Sequence, residues 1–452
     1  MPAKLKLEDF ELIPNRAIYA VGMFSKIVTL HNQQIRSLNL AELLSEKIND
    51  SSKRKSVAII GAGAAGITAA TKLLFDGWKR VYLFERYSHV LPLQSGCDTR
   101  WLHPNNINWP EPDSNIETTK FDLPSLNWEA DTAGNVAYKL SGKWKKFIGE
   151  RIKSSQARPE NILSQIYNVN YLKIGEDRYG YFITWTSQLN HNEQRVAGND
   201  IRSSGKERFD HIILANGFGL EQHVNSYWRN ESFGQPSLTG LQKVYVVSGL
   251  GDGAIIDLLR LCFLDFRPDR FISEAIEDMA ITPSVKDEKS QKKTVDDFKL
   301  GIKKALSSKN KFEELLKVKK SREFSEFFTS VKSYLLARAR VDTKVILHFK
   351  ADMSEFSNAF DNSPATHLNK FILFIAFDCG AISLIHDLDE SKYQNCEIIK
   401  RHGVNRVNPV KDVLSGDLFQ NLAEERGAYF IDGGILEDQL EKTLRQKLAQ
   451  EI

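Results

Sequence analysis

A four-residue apolar run, Val57-Ala58-Ile59-Ile60, leads directly into Gly61-Ala62-Gly63-Ala64-Ala65-Gly66, and no other feature constrains the fold of this chain as tightly. The run reads as a short buried strand, and Ile67 to Phe75 reads as the helix after it. Each glycine has a role in such a turn. Gly61 permits the sharp bend, Gly63 leaves room for a phosphate against the backbone, and Gly66, with Ala70 one turn later, lets the helix pack close to the sheet. Free N–H groups of the turn, those of Ala62 and Ala65 included, then face the phosphates together with the positive end of the helix dipole. Gly77 stops the helix, and Val81-Tyr82-Leu83-Phe84 forms a second strand ending in Glu85, 19 residues after Gly66. A carboxylate at that spacing accepts hydrogen bonds from an adenosine ribose. Strand, glycine turn, helix, strand and acid in this order imply that the chain binds the ADP half of a dinucleotide. The acid favours FAD or NAD over NADP, whose 2′-phosphate it would repel.

At 452 residues, two lobes or one large domain with insertions are expected. Hydrophobic residues make up 42% and charged residues 26%, with a net charge of +3, so the composition is that of a soluble globular protein without a strong field. Charge gives no reason to expect nucleic acid. Cys97, Cys262, Cys379 and Cys396 form neither a CxxC pair nor a ligand cluster, which weighs against a disulfide reductase. The histidines show no HxH or HExxH spacing, so no metal site is expected. The first residues lack the apolar core of a signal peptide, and the most apolar later stretch, Phe371 to Ile385, is interrupted by Asp378. A cytoplasmic, non-membrane protein is the expectation.

Four segments follow. Residues 1–55 read as an N-terminal extension, with a β-like run at Lys26–Leu30, a helical pattern over Gln33–Leu44 and a polar linker at 49–55. Residues 56–263 read as the nucleotide-binding core. Within them, Gln165 to Trp185 alternates in two runs about Gly175-Glu176-Asp177-Arg178, the pattern of an antiparallel hairpin, and a polar loop from Asn190 precedes the strand Phe209–Ala215. Residues 264–343 read as a helical insertion with lysines and acids interleaved on a solvated face. Strand-like runs resume in 344–452 (KVILHF, KFILFIAF, AISLIH, CEIIKRHG), a part that completes the core or forms a substrate domain, and a charged helix closes the chain from Leu436 to about Ala449. The fold class is therefore α/β, a Rossmann-type fold with a β-hairpin excursion and an inserted helical subdomain.

With these elements in place, the sequence resembles the superfamily of two-dinucleotide-binding flavoproteins, which includes amine oxidases, flavin monooxygenases and pyridine-nucleotide-dependent reductases. Phe209-Asp210-His211-Ile212-Ile213-Leu214-Ala215-Asn216-Gly217 looks like its second flavin signature, with Asn216 where threonine is usual. The resemblance implies FAD as cofactor, Asn216 and Gly217 at its site, and Arg86 and Arg100 as cations against the adenosine and pyrophosphate. Val244 to Ala254 admits two readings. Gly249, Gly251 and Ala254 could open a second dinucleotide site for NAD(P)H, or Gly251-Asp252 could match the signature whose aspartate binds the ribityl chain. No second strand follows at the usual spacing, so both readings stand. His103, in the aromatic and polar stretch 96–110, and His402, in Arg401-His402-Gly403, are the candidates for proton transfer, against the alternative that each only hydrogen-bonds its own loop.

The function expected is an FAD-dependent oxidoreductase that exchanges a hydride between flavin and a small-molecule substrate, with NAD(P)H as a candidate reductant. A protein partner or homo-oligomer is compatible with this. The alternatives are a non-catalytic FAD/NAD-binding sensor that signals through the helical insertion, and an NAD-dependent dehydrogenase. Hydrolysis and phosphoryl transfer are disfavoured, because no P-loop, GxSxG turn or paired-carboxylate motif is present.

Overall fold

A computed structural model describes residues 5–22, 28–47, 56–111, 123–154, 162–188, 203–217, 226–238, 240–277, 288–349, 356–404 and 406–426. The linker 49–55, Lys26, Ile27, most of the polar loop from Asn190, and the closing helix from Leu436 lie outside them.

The first sheet is built on buried apolar runs. Its strands are β1 (Ile18–Ala20), β2 (Val57–Ile60), β3 (Val81–Phe84), β6 (Leu163–Ile166) and β10 (His211–Leu214), in the order β1-β10-β2-β3-β6. All its pairings are parallel. β2, β3, β6 and β10 are buried along their whole length, as strands covered on both faces must be. One face packs on α1 (Leu30–Lys47), α2 (Ala64–Phe75) and α3 (Ala133–Ser154) through Leu40, Ile67, Leu73 and Trp144. Between β3 and β6 the two-residue strands β4 (Trp101–Leu102) and β5 (Asp131–Thr132) form a small antiparallel ribbon. Near the N-terminus Ile18–Ala20 is extended, and of the run at 26–30 the described part, Val28 to Leu30, contains no strand and leads into α1.

An antiparallel sheet of β7 (Val169–Asp177), β8 (Gly180–Ser187) and β9 (Ser204–Phe209) covers the other face with Ile174, Ile183 and Trp185. Its turn is Arg178-Tyr179, later than the glycine at 175. Gly175 instead lies inside β7 opposite Phe182, whose ring stands 2.4 Å from where a Cβ would be.

A second parallel sheet gives β11 its partner strands, none of which follows Gly249–Ala254 at the usual spacing. Its strands are β11 (Lys243–Ser248), β12 (Thr343–His348), β13 (Ser383–Ile385) and β14 (Glu397–Lys400), in the order β13-β12-β11-β14. Helix α4 (Asp252–Cys262) follows β11. The helices α5 (Pro268–Ile272), α6 (Glu288–Ser307), α7 (Lys311–Lys320) and α8 (Ser325–Leu336) intervene before β12, so the partner strand exists but lies far along the chain. These helices share one core with α4, α9 (Phe356–Asn362) and α10 (His367–Asp378). Phe298 stacks on Phe327 at 4.8 Å between centroids and meets Phe371 at 5.9 Å. The run KFILFIAF, strand-like in sequence, belongs to α10. Leu368 to Ala376 are all buried there, and a helix buried on every side has no amphipathic period to reveal it. Two short helices, α11 (Asn408–Val413) and α12 (Gly416–Arg426), return to the first unit through Val410, Leu414, Leu418 and Leu422.

Numbered from the strand that enters each glycine turn, both sheets run third-second-first-fourth: β6-β3-β2-β10 and β13-β12-β11-β14. This is the half-Rossmann order, and the crevice between first and fourth strands is the topological switch point where ligands of such sheets bind.

Candidate functional site: two glycine turns

At the first turn, Gly61 has φ +103° and donates its N–H to the Phe84 carbonyl at 2.8 Å. A Cβ on Gly61 would stand 2.5 Å from the Ala215 carbonyl oxygen, and one on Gly66 would stand 1.8 Å from the Gly61 carbonyl oxygen. Packing alone requires both glycines. Gly63 differs. It caps α2 with φ −69°, a conformation open to any residue, and a Cβ there meets nothing within 4 Å. Its bare backbone faces open space at the N-terminus of a twelve-residue helix. Ala65 is buried in the first turn of that helix.

Glu85, buried at the end of β3, reaches across this turn. Its Oε2 accepts from the Ala62 N–H at 2.7 Å and its Oε1 from the Tyr87 N–H at 3.0 Å. Burial raises its carboxyl above the usual range, and the backbone N–H groups oppose the rise. Arg86, next in the chain, is exposed. Across the switch point, Gly217 has φ +74° with open space where a Cβ would be. Asn216 donates from Nδ2 to the Pro409 carbonyl at 2.9 Å, and its buried Oδ1 has no hydrogen-bond partner among the described residues.

The second turn repeats this geometry step for step. Gly249 has φ +130°, donates its N–H to the His348 carbonyl at 3.2 Å, and a Cβ on it would stand 2.3 Å from the Arg401 carbonyl oxygen. The Arg401 N–H donates to the Ser248 carbonyl at 2.8 Å, as that of Ala215 does to Ile60 at 2.8 Å. Gly251 caps α4 with φ −81° and only Pro364 Cγ, at 4.0 Å, near a Cβ position. Ala254 takes the place of Gly66, and Gly403, with φ +82°, that of Gly217.

Several residues singled out from the sequence are committed elsewhere. Asp252 Oδ1 accepts from the Thr366 N–H at 2.8 Å, the Thr366 hydroxyl at 2.9 Å and Asn369 Nδ2 at 2.6 Å, so this carboxylate caps α10 and does not face a ribityl chain. Arg100 is buried at the junction of the two units. It donates from Nε to the Tyr227 carbonyl at 2.7 Å, pairs with Asp257, and lies 4.1 Å from the Tyr227 ring centroid. Asp257, fully buried on α4, also accepts from Arg401 Nε at 2.8 Å. The Arg100 charge is therefore met by Asp257 and not left for a pyrophosphate. His103 Nδ1 accepts from the Asn105 N–H at 3.1 Å and serves its own loop. His402 Nε2 lies 2.7 Å from Ser248 Oγ, which also lies 2.6 Å from His348 Nδ1. Burial lowers His348 below the ordinary histidine value, with Asp387 opposing. Ser248 and His348 escape a sequence reading because only the pairing of β11 with β12 brings them together, and Asp257, on α4, because its partners Arg100 and Arg401 lie far away in sequence. The one available signal was that Ser248 precedes Gly249 as Ile60 precedes Gly61.

The class these features define is a Rossmann-like α/β protein with two glycine turns, each at the switch point of its own parallel sheet. No protein-family model matches the chain, and no curated protein matches it. Among solved structures, a thioredoxin reductase from Gloeobacter violaceus matches at 14% identity over 46% of this chain and 50% of that one, with a TM-score of 0.19. The chain thus spans about half the length of the structure it matches, and a likeness at that score carries no argument. Among the described residues, no group of three or more His, Cys, Asp or Glu could hold a metal ion, and no helix is long and apolar enough to cross a membrane.

Proposed function

We propose that the chain is an FAD-dependent oxidoreductase that holds FAD at the Gly61–Gly66 turn and a nicotinamide dinucleotide at the Gly249–Ala254 turn. The observation that carries this reading is the pair Gly63 and Gly251. Neither backbone conformation nor packing among the described residues calls for glycine at these positions, yet both cap the N-terminus of a helix that starts at a switch point. A bare backbone there accommodates a pyrophosphate, whose charge the helix N-terminus favours. Glu85, already oriented by two backbone N–H groups, is the acceptor for adenosine ribose hydroxyls, with Arg86, Asn216 and Gly217 beside the same ligand. The polar Asn216 Oδ1, lacking a partner among the described residues, fits a donor on the bound group.

Bound flavin would supply the hydride chemistry. The protein's own part is to grip both nucleotides, exclude water, and seat a small-molecule substrate between the units. Absence of a metal centre, cytoplasmic residence and the lack of a nucleic-acid partner belong to the same reading, which the four free thiols suit. A sensor that signals through the helical segment fits less well, because α6 to α8 share their core with the second sheet and have no separate interior to rearrange.

The test is the visible spectrum of the purified protein with mass identification of the released nucleotide, then anaerobic titration with NADH and NADPH. Flavin bands near stoichiometric occupancy that bleach with either reductant support the proposal. A colourless protein that retains NAD instead would overturn it.

A further inference from the structure

We propose that His402, Ser248 and His348 form a proton relay across the carboxyl ends of β14, β11 and β12, and that nucleotide binding at the second glycine turn takes up a proton through it. The second clause rests on the function proposed above; the first stands on the geometry alone.

The two units share a backbone plan but differ at these positions. Where the first unit places Ile60, Phe84 and Asn216, the second places Ser248, His348 and His402, as the matching hydrogen bonds of Gly61 and Gly249 and of Ala215 and Arg401 establish. Ile60 and Phe84 are buried core residues. A hydroxyl and an imidazole in their place bring desolvation costs that apolar packing avoids. The hydroxyl of Ser248, 1% exposed, has one proton to donate and two lone pairs to accept with, and it has an imidazole nitrogen on either side, at 2.6 and 2.7 Å. His402 is exposed, whereas His348 is partly buried.

This arrangement orders the proton traffic. Burial favours neutral His348, whose Nδ1 then accepts the Ser248 proton, while His402 Nε2–H donates to Ser248 Oγ. When His402 has taken a proton from solvent and is an imidazolium, transfer breaks its Nε2–H bond and forms an O–H bond at Ser248 as the original Ser248 proton moves to His348 Nδ1, which leaves His402 neutral and His348 charged. Serine ends unchanged, one proton has moved from the solvent-facing histidine to the inner one, and no electrons change hands.

Among the described residues, the following charged and titratable groups lie near the relay. Asp387 acts on His348 and favours its protonated form. The His386 ring lies 5.6 Å from that of Phe349, Lys400 pairs with Glu390, and Arg401 pairs with Asp257. A phosphate-bearing nucleotide at the Gly249–Gly251 turn adds negative charge beside this group, which stabilises the protonated relay.

The experiment is a histidine titration of the full chain by 15N-edited NMR, for wild type, Ser248→Ala, His348→Asn and His402→Asn. It is paired with calorimetric titration of NADPH and NADH in two buffers of different ionisation enthalpy. The expected result is that His348 and His402 titrate as a coupled pair in the wild type and independently in Ser248→Ala. Nucleotide affinity should fall roughly tenfold per pH unit across the histidine range, the slope for one linked proton, and flatten in all three variants. Independent titration in the wild-type protein overturns the relay. Binding without proton uptake overturns its link to the nucleotide, and failure of both nucleotides to bind overturns the functional proposal while leaving the coupled titration to judge the relay.

Discussion

Replacing Gly63 and Gly66 with alanine, one at a time, separates what the fold needs from what the ligand needs. In Gly66→Ala the new methyl falls 1.8 Å from the Gly61 carbonyl oxygen, a backbone atom that moves only if the turn moves. Overpacking of this kind costs about 1–3 kcal/mol or more. For a cooperative unit of this size that corresponds to a fall in Tm of roughly 2–12 °C. In Gly63→Ala the methyl meets no protein atom within 4 Å and φ of −69° is ordinary for alanine. Restricting the unfolded chain contributes about 0.4–1 kcal/mol of stability, and losing a glycine N-cap offsets about 0.5–1 kcal/mol of that. Net stability should therefore stay within about 0.5 kcal/mol of wild type, the range of an ordinary surface change. The same methyl stands where a pyrophosphate would touch the backbone, and a tenfold loss of affinity requires only about 1.4 kcal/mol of steric cost. The assay is a thermal melt with flavin occupancy measured on the same preparation. Gly63→Ala should melt as wild type does and carry at least tenfold less tightly bound nucleotide. If it retains full occupancy, the phosphate reading of this turn is wrong; if it unfolds, the account of its packing is wrong.

Three further perturbations follow from the same structure. Asp257→Ala leaves Arg100 and Arg401 buried without their shared carboxylate and should destabilise the chain by about 3–5 kcal/mol in a urea melt; a loss under 1 kcal/mol would contradict that role. Phe298→Ala, which empties the centre of the aromatic cluster shared by α6, α8 and α10, should cost about 3–5 kcal/mol; a second, separate transition in the melt would show that the helices have a core of their own. Burial lowers Lys370 to about 8 from 10.5, so the folded chain holds this proton more weakly than the unfolded one. Its linked stability is present above pH 10.5 and is lost as pH falls through about 8. Lys370→Met should remove that pH dependence and raise stability at neutral pH, as chemical denaturation at pH 7 and pH 10 would reveal.

The first unit was legible because everything it needs is local. Val57 to Glu85 contains strand, turn, helix, strand and acid without interruption, and glycines that bend a chain leave a spaced pattern. The second unit uses the same parts with the middle pulled apart. β11 and α4 carry their glycines in plain view, but β12 lies beyond four helices, and the residues at the usual distance after Ala254 are polar and helical. Buried α10 read as a strand because nine consecutive buried residues leave no period to measure. The side-chain partners were the least visible. That Asp252 caps α10, that Arg100 meets Asp257, and that Ser248 lies between two histidines depend on contacts between residues more than a hundred positions apart, or nearly so, which no local pattern encodes.

The register of the second sheet also bears on how the chain reaches its native state. Lys243 pairs with Thr343, and the pairing runs on to Ser248 and His348, so the two central strands meet only after the intervening helices have been gathered in. Closing so long a segment costs entropy before any strand pairing returns it. In the first sheet, β2 and β3 are separated by a single helix and can join early. The first unit should therefore condense ahead of the second. During synthesis β11 would wait as an apolar strand with an unpaired edge, and α4, packed against it, covers part of its apolar surface until β12 emerges.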